Sequence, residues 1–503
     1  MKTTLQKMIC LSICVAMLLV LFAGCGKEPV SSPTDITPES VVTPLEQEPL
    51  DDTTTTVSRV EASNPSSSKM PTSSVVSPPS SDDSSKDRPI FYPIGIAPQS
   101  TPSKEDPKPI SIVFRSIYAD QYTGETGMGK LWKDHFGKMA EQGIITSYAN
   151  LDTGTAVDTI FKEVLAGRAS ADVYEVSLAM SHQLAVKKVL ANLLDSKALN
   201  QKAFDNGGTH SNTINGKTYG VSLDTHADVV MVMYNKKFIG QYAPDTHIDQ
   251  LVAQKKWNFD AFKELAKQCT KDTDGNGRSD LFGFVSDVRF IDGVVSANLG
   301  GYALMNQGKV EASVCNQEGV SALEFAKKSY KNDKVWMYKA KVEDVVTQFT
   351  TEKAAMAVLS SGDVLTVAPT LKFSYGVAPM PIGYDQTDYL NGVFETRVLV
   401  APLTARNRLD DIGLWLNGVA KAKNRVFVEQ TKGLNGDSVT MYHTMLNNTS
   451  PEYSVGAFTS EITSQIHSAI VSGGKKGVAY VMKAIKTHTQ YELDEFYAPL
   501  YEK

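Results

Sequence analysis

Between Asp272 and Asp280 the chain reads DTDGNGRSD, with oxygen-bearing side chains at alternate positions around glycines. Numbered as a calcium loop, Asp272, Asp274, Asn276, Arg278 and Asp280 take positions 1, 3, 5, 7 and 9, and Gly277 takes the sharp turn at position 6. Such a set can hold Ca2+ through carboxylates and a backbone carbonyl. Position 12, where a bidentate glutamate normally completes the shell, is Gly283, so an ion must find its last oxygens elsewhere. The competing expectation is that Asp, Asn and Gly serve a tight helix-to-strand turn. No cofactor is required by the sequence, and calcium, where bound, stabilises without reacting. A second stretch, GETGMGKL from Gly124, satisfies G-x-x-x-x-G-K but places Leu131 where a hydroxyl must hold magnesium, so its glycines are expected to feed a helix N-terminus. There is no H-E-x-x-H and no G-x-S-x-G, and the eight histidines are scattered without metal-ligand spacing. No catalytic residue is assigned and the chain is read as a non-enzyme, although its many carboxylates leave a glycosidase pair open on composition.

The elements around these stretches alternate. ISIVFRSIY from Ile110 has strand character, and LWKDHFGKMAEQ is a helix with Leu131, His135 and Met139 on one side. ITSYAN is a second strand. In TAVDTIFKEVLAGRAS, Val157, Ile160, Phe161, Val164 and Leu165 recur at i, i+3, i+4, i+7 and i+8, giving an amphipathic helix closed by Gly167. The strand ADVYEVS and the helix SHQLAVKKVLANL follow. This strand-helix alternation predicts a mostly parallel sheet covered by helices. A second compact region opens at Trp257, where Asn258 is a plausible N-cap for a helix ending at Cys269. The acidic loop, the strand LFGFVS and the helix EGVSALEFAKKSY come next. From about Lys372 a strand leads into a helical tail.

The chain has 503 residues, 42% hydrophobic and 21% charged, with a formal net charge of -6. That length allows more than one domain, and the mild acidity gives no sign of nucleic-acid binding. Residues 1–24 pair a short basic start with an apolar run, which marks a signal for export. Ala23-Gly24-Cys25 resembles the lipobox of bacterial lipoproteins, with Phe22 where leucine is usual; the resemblance implies that Cys25 carries lipid. From residue 25 to 108, Ser, Thr, Pro and Asp dominate with no apolar period, which predicts a disordered linker. Its ~80 residues give a root-mean-square reach of about 50 Å. Beyond these segments only Cys269 and Cys315 remain, either paired or as two buried thiols.

Several segments together resemble the family-1 extracellular solute-binding proteins of ABC importers, lipoprotein relatives of the maltodextrin-binding protein. They are INGKTYGVSL, VVMVMYNKKF, WNFDAFKELAKQCTKDTDGNGRSDLFGF, FTTEKAAMAVLSSGDV and YGVAPMPIG, in the family's order and spacing. The resemblance implies an α/β, two-lobed periplasmic-binding-protein-like fold of type II, with two mixed sheets covered by helices and a ligand cleft between the lobes. Lobe 1 is expected over about 109–225 with part of 370–503, and lobe 2 over about 226–369 with the remainder. The cleft residues it implies are Tyr118, Asp120, Glu175, Ser177, Asp224, Thr225, His226, Asp287, Arg289, Ser361 and Asp363, with Ser360, Trp336, Tyr338, Phe394 and Glu395 as further candidates. Aromatic faces stack on sugar rings, and carboxylates and guanidinium groups bond to sugar hydroxyls. The function implied is capture of a carbohydrate, an oligosaccharide in the first instance, for the permease subunits of an ABC transporter. The protein would be a monomer, tethered by lipid to the extracellular face of a Gram-positive type of cell membrane. A sensory lipoprotein signalling to a membrane kinase and a secreted glycan-active enzyme are the alternatives.

Overall fold

The computed structural model describes residues 109–472 and 476–501. The export signal, Cys25 and the linker lie outside the described residues. No helix among those described is long and apolar enough to cross a membrane.

Ten strands build two five-stranded sheets: β1 (Ile110–Ser116), β2 (Ile144–Asn150), β3 (Val173–Ser177), β4 (Ala227–Asp228), β5 (Val230–Asn235), β6 (Phe282–Ser286), β7 (Trp336–Tyr338), β8 (Ala354–Ser360), β9 (Tyr375–Pro379) and β10 (Glu395–Val400). The first sheet has the order β2-β1-β3-β10-β4 and the second β7-β6-β8-β5-β9. In each, four strands run the same way and one runs against them, β10 in the first sheet and β5 in the second. The chain passes from the first sheet to the second at Val229, between β4 and β5, and returns between Pro379 and Glu395.

Helices cover these sheets: α1 (Gly127–Glu141), α2 (Ala156–Leu165), α3 (Leu178–Val186), α4 (Phe259–Cys269), α5 (Arg289–Leu299), α6 (Gln317–Lys331), α7 (Ser361–Val367), α8 (Leu409–Ala420), α9 (Lys423–Thr431), α10 (Gly436–Asn447), α11 (Ser460–Val471) and α12 (Val478–Tyr501). One face of the first sheet packs Ile112, Phe114, Val173 and Leu399 against Trp132 and Met139 of α1 and Ile412, Trp415 and Leu416 of α8. Burying these large apolar groups is the main driving force for seating the helices there. The larger cluster joins the other face, through Tyr174 and Val176, to the second sheet and to α11 and α12.

Local signals explain several boundaries. Gly124 and Gly127 both have positive φ, and α1 begins at Gly127, so the G-x-x-x-x-G-K stretch is the turn into a helix. Asn258 caps α4 by accepting from Ala261 N–H at 2.9 Å. In α2 Ala156 and Ile160 are buried and Val157, Phe161 and Val164 pack half-buried against the same core, while Leu165 at its last position is 69% exposed. The apolar stripe read from sequence is therefore wider than the face that packs. Cys269 and Cys315 are free and buried, and burial pushes both thiols up to about 11.

Helix α12 touches both halves. Gln490 accepts from Ala312 N–H and donates to the Val310 carbonyl, each at 3.0 Å, on the side of the second sheet. Tyr497 Oη lies 3.0 Å from Nδ1 of His182 in α3, and the Leu500 carbonyl accepts from Asn215 at 3.1 Å, on the side of the first.

Candidate ligand-binding crevice

Strand register puts a run of polar side chains on one face of the first sheet. Ser116 is level with Glu175, Arg397 with Ser177, and Glu395 with Asp228. Side chains alternate along a strand, so these residues share the face that carries Phe114, Val173 and Leu399 deeper in. The apolar core therefore gives way to a polar row at the carboxyl ends of β1 and β3, where ligands of α/β sheets bind.

Glu175 is the anchor of this row. It is fully buried; Oε2 accepts from Ser116 Oγ at 2.6 Å and Oε1 from Tyr122 Oη at 2.9 Å. Burial raises its pKa, and the Arg397 guanidinium and the two hydroxyls oppose that shift. Nδ1 of His226 lies 3.7 Å from Glu175 Oε1, yet neither ring nitrogen has a hydrogen-bond partner. Burial, and secondarily Arg397, hold His226 well below the usual histidine range, so the imidazole is neutral. Arg397 stacks over the Tyr118 ring, 5.2 Å from its centroid. Tyr118 hydrogen-bonds to Glu395, whose carboxyl is pushed up to about 7 by desolvation and then by Asp228.

Asp228 is the joint to the second sheet. Its Oδ1 accepts from Ser361 Oγ at 2.6 Å and from Gly362 N–H at 3.0 Å, in the first turn of α7. A carboxylate is favoured there by the exposed N–H groups of the helix start. Ser361 Oγ also accepts from Val229 N–H at 3.1 Å, which fixes the crossing point itself. Tyr442 of α10 closes on this joint beside Ser361, Asp228 and Arg397.

The rim of the second sheet is built from Asp287, Arg289, Ser360 and Asp363. Ser360 and Asp363 form a reciprocal cap, at 3.0 Å between side chains and 3.2 Å from Asp363 N–H to Ser360 Oγ. Arg289 Nη1 lies 3.0 Å from Asp363 and 3.2 Å from Asp287. Burial raises the Asp287 pKa against the pull of Arg289, whose N–H it also accepts at 2.9 Å. Tyr338 at the end of β7 stands close enough to Asp287 to feel its charge.

The residues expected from sequence thus divide. Tyr118, Glu175, Ser177, His226 and Glu395 fall in or beside the first row, with Ser177 also capping α3. Asp287, Arg289, Ser361 and Asp363 fall on the second rim or the joint. Asp120 is exposed in the short turn Ala119–Gln121. Asp224 is engaged by Asn206 at 2.8 Å and by the Lys423 ammonium, and the Thr225 carbonyl accepts from Gln430 at 3.1 Å; both are tied to α9. Phe394 packs edge-on against Tyr302 at 5.3 Å.

Trp336 requires a correction. It is 2% exposed, surrounded by Phe284, Phe290 and Tyr330, and its Nε1–H donates to the Ser286 carbonyl at 3.1 Å. It is core of the second sheet and offers no face to a ligand. Ser116, Tyr122, Asp228, Arg397 and Tyr442 were missed. Arg397 had one available signal, a guanidinium in the otherwise apolar strand ETRVLV.

The acidic loop brings Asp272, Asp274 and Asp280 together, with one carboxylate oxygen from each inside 4.8 Å. Loop groups already use them: Asp272 accepts from Gly275 and Gly277 N–H, each at 2.7 Å, and Asp280 from Thr273 N–H and Oγ1, each at 2.7 Å. Asn276 donates to Asp274 and accepts from Arg278 N–H. A Cβ at Gly283 would lie 2.3 Å from the Ala266 carbonyl oxygen, so the twelfth position is glycine because β6 packs on α4 there.

Residues 132–402, which span β2 through β10, match the family model described as bacterial extracellular solute-binding protein. The chain belongs to that family. No curated protein sequence matches it. Solved structures of low identity share the fold of this solute-binding protein. UspC from Mycobacterium tuberculosis has a TM-score of 0.58 at 15% identity, over 76% of this chain and 100% of that one. The cyclic alpha-maltosyl-1,6-maltose binding protein from Arthrobacter globiformis has 0.57 at 15%, over 77% and 100%. UgpB from Mycobacterium tuberculosis, in complex with glycerophosphocholine, has 0.53 at 16%, over 77% and 98%. The fold is that of type II periplasmic binding proteins, two lobes each built on a five-stranded mixed sheet.

Proposed function

We propose that this solute-binding protein is the lipid-anchored receptor of an ABC importer, which captures an oligosaccharide in the crevice and delivers it unchanged to the membrane permease. The observation that carries the reading is the polar row Ser116–Glu175–Arg397–Glu395–Asp228, set at the strand ends of a chain in this family. Hydroxyl-rich ligands need donors and acceptors held in fixed directions, and strand register supplies them. The stacked Tyr118 adds an aromatic face. Membership of a solute-binding family supports delivery without turnover. Cys25 supplies the anchor and residues 25–108 the tether.

A thermal-shift screen of the protein against mono- and oligosaccharides tests this. A ligand that binds only the folded state raises the melting temperature by mass action. A shift with a sugar class recovered chemically intact supports the reading; turnover of the sugar, or shifts only with non-sugar solutes, contradicts it.

In the acidic loop, Asp272, Asp274 and Asp280 would hold a calcium ion, with Asn276 and the Arg278 carbonyl as further oxygens. The ion would tie α4 to β6 and take no part in ligand capture. Calcium is expected to raise the melting temperature and EDTA to lower it; a titration without change counts against occupancy.

A further inference from the structure

We propose that the ligand of this crevice carries a free amine, and that Glu395, with Asp228 and Glu175 behind it, is the group that selects for it. The inference rests on the carbohydrate reading above and narrows it to amino sugars.

Three carboxylates share one face within three adjacent strands, with a single guanidinium, Arg397, among them. Among the described residues no lysine or arginine forms an ion pair with Glu175, Asp228 or Glu395; the one charged-type neighbour within reach is the neutral His226, beside Glu175. Arg397 lies over the face of Tyr118, and its charge also acts on Glu175. The second rim adds no spare positive charge, since Arg289 is shared between Asp287 and Asp363. The crevice thus sets three carboxyl groups against one guanidinium in a partly desolvated setting, where an incoming cation that draws out their ionised forms is favoured over an anion.

A second observation points to a ligand group. His226 is 6% exposed, and both of its ring nitrogens are unpartnered while Nδ1 faces Glu175. A buried imidazole without partners is a standing cost, and a neutral one offers an acceptor that an ammonium or hydroxyl network can reach. Glu395 itself is exposed at the row's outer end, where an incoming group can touch it. The groups facing it are Asp228 across the strand pair, Tyr118 from the loop after β1, and Arg397 on its own strand; Glu175 and His226 lie deeper, and Tyr442 covers Asp228 from α10. Like charges directly opposite each other on a sheet repel. Desolvation first and this repulsion second push the Glu395 carboxyl up to about 7, and an ammonium placed there would favour its ionised form.

The test uses the full chain in detergent, titrated calorimetrically at pH 6.5 with glucosamine oligomers, their N-acetylated counterparts and malto-oligosaccharides. The expected result is at least about tenfold tighter binding of the free amines than of the N-acetylated forms. Protons should be released on binding, measured in buffers of different ionisation enthalpy. Glu395→Gln, with an unchanged melting temperature in the absence of ligand, should bring the ratio of free-amine to N-acetylated affinities to about one and abolish the proton release, whatever it does to sugar affinity as a whole. Neutral sugars binding as well as amines would overturn the inference and leave the carbohydrate reading standing. An amine preference that survives Glu395→Gln would also overturn it. Binding of no sugar at all would remove both.

Discussion

The two strand-end rims use the same residue types in opposite ways. On the second sheet Arg289 is shared between two carboxylates, and Ser360 and Asp363 satisfy one another across the first turn of α7. On the first sheet Arg397 has an aromatic ring beneath it, Glu175 is held by hydroxyls alone, and His226 has no partner. A rim whose charges are already balanced against one another, even with Arg289 Nη1 short of a hydrogen bond, gives up little when a ligand leaves. One whose groups wait for partners gains most from a ligand that supplies them, since an unmade buried hydrogen bond is more expensive than a made one is favourable. The first sheet is therefore expected to provide affinity and the second to complete enclosure by hinge motion.

The strongest way to break this contrast is at Trp336. As a core residue its change to alanine should cost about 3–5 kcal/mol of stability, measured by denaturant unfolding, with Trp336→Phe recovering most of it and binding ligand normally. Selective loss of binding in a stable Trp336→Phe protein would return it to the crevice. Next, Arg397→Ala should weaken ligand binding by about 100-fold and Arg289→Ala by about tenfold or less, read by calorimetry. Equal losses would erase the asymmetry. The pH response sharpens it further. His226 is depressed in the folded protein, so the unfolded chain takes up its proton first; stability should fall as pH drops below the ordinary histidine range, and His226→Gln should flatten that limb. Glu175 has the opposite sign: its raised pKa gives stability that is lost as pH climbs out of the carboxylate range. A melting-temperature series for wild type, His226→Gln and Glu175→Gln separates the two. The smallest effect is expected for Ser360→Ala, about 1 kcal/mol for a lost helix cap, with affinity unchanged.

Much of the scaffold was legible because it follows local rules. Asn258 and the Phe259–Cys269 periodicity announced α4, and the apolar runs around Phe114, Tyr174 and Phe284 announced strands. The crevice was legible only in part. Glu175 and His226 could be named from motif position, but their neighbour Arg397 arrives by the antiparallel insertion of β10 beside β3, a pairing across more than two hundred residues that no local pattern encodes. Asp228 was invisible for a similar reason: its role depends on α7 lying over the crossing point. Trp336 misled because an aromatic side chain near a strand end reads the same whether it faces a sugar or a core, and only the packing of Phe284 and Phe290 decides.

The C-terminal helix sets a limit on how the molecule can move. Gln490 fastens it to one half and Tyr497 to the other, with His182 held neutral, near a pKa of about 4, by burial. Rotation of the lobes keeps both fastenings only when the axis runs close to this helix, as a door keeps its frame only when it turns about the hinge post. Amide hydrogens along α12 should then exchange among the slowest in the protein with or without solute, while those around Ser361 and Gly362 slow when the crevice fills.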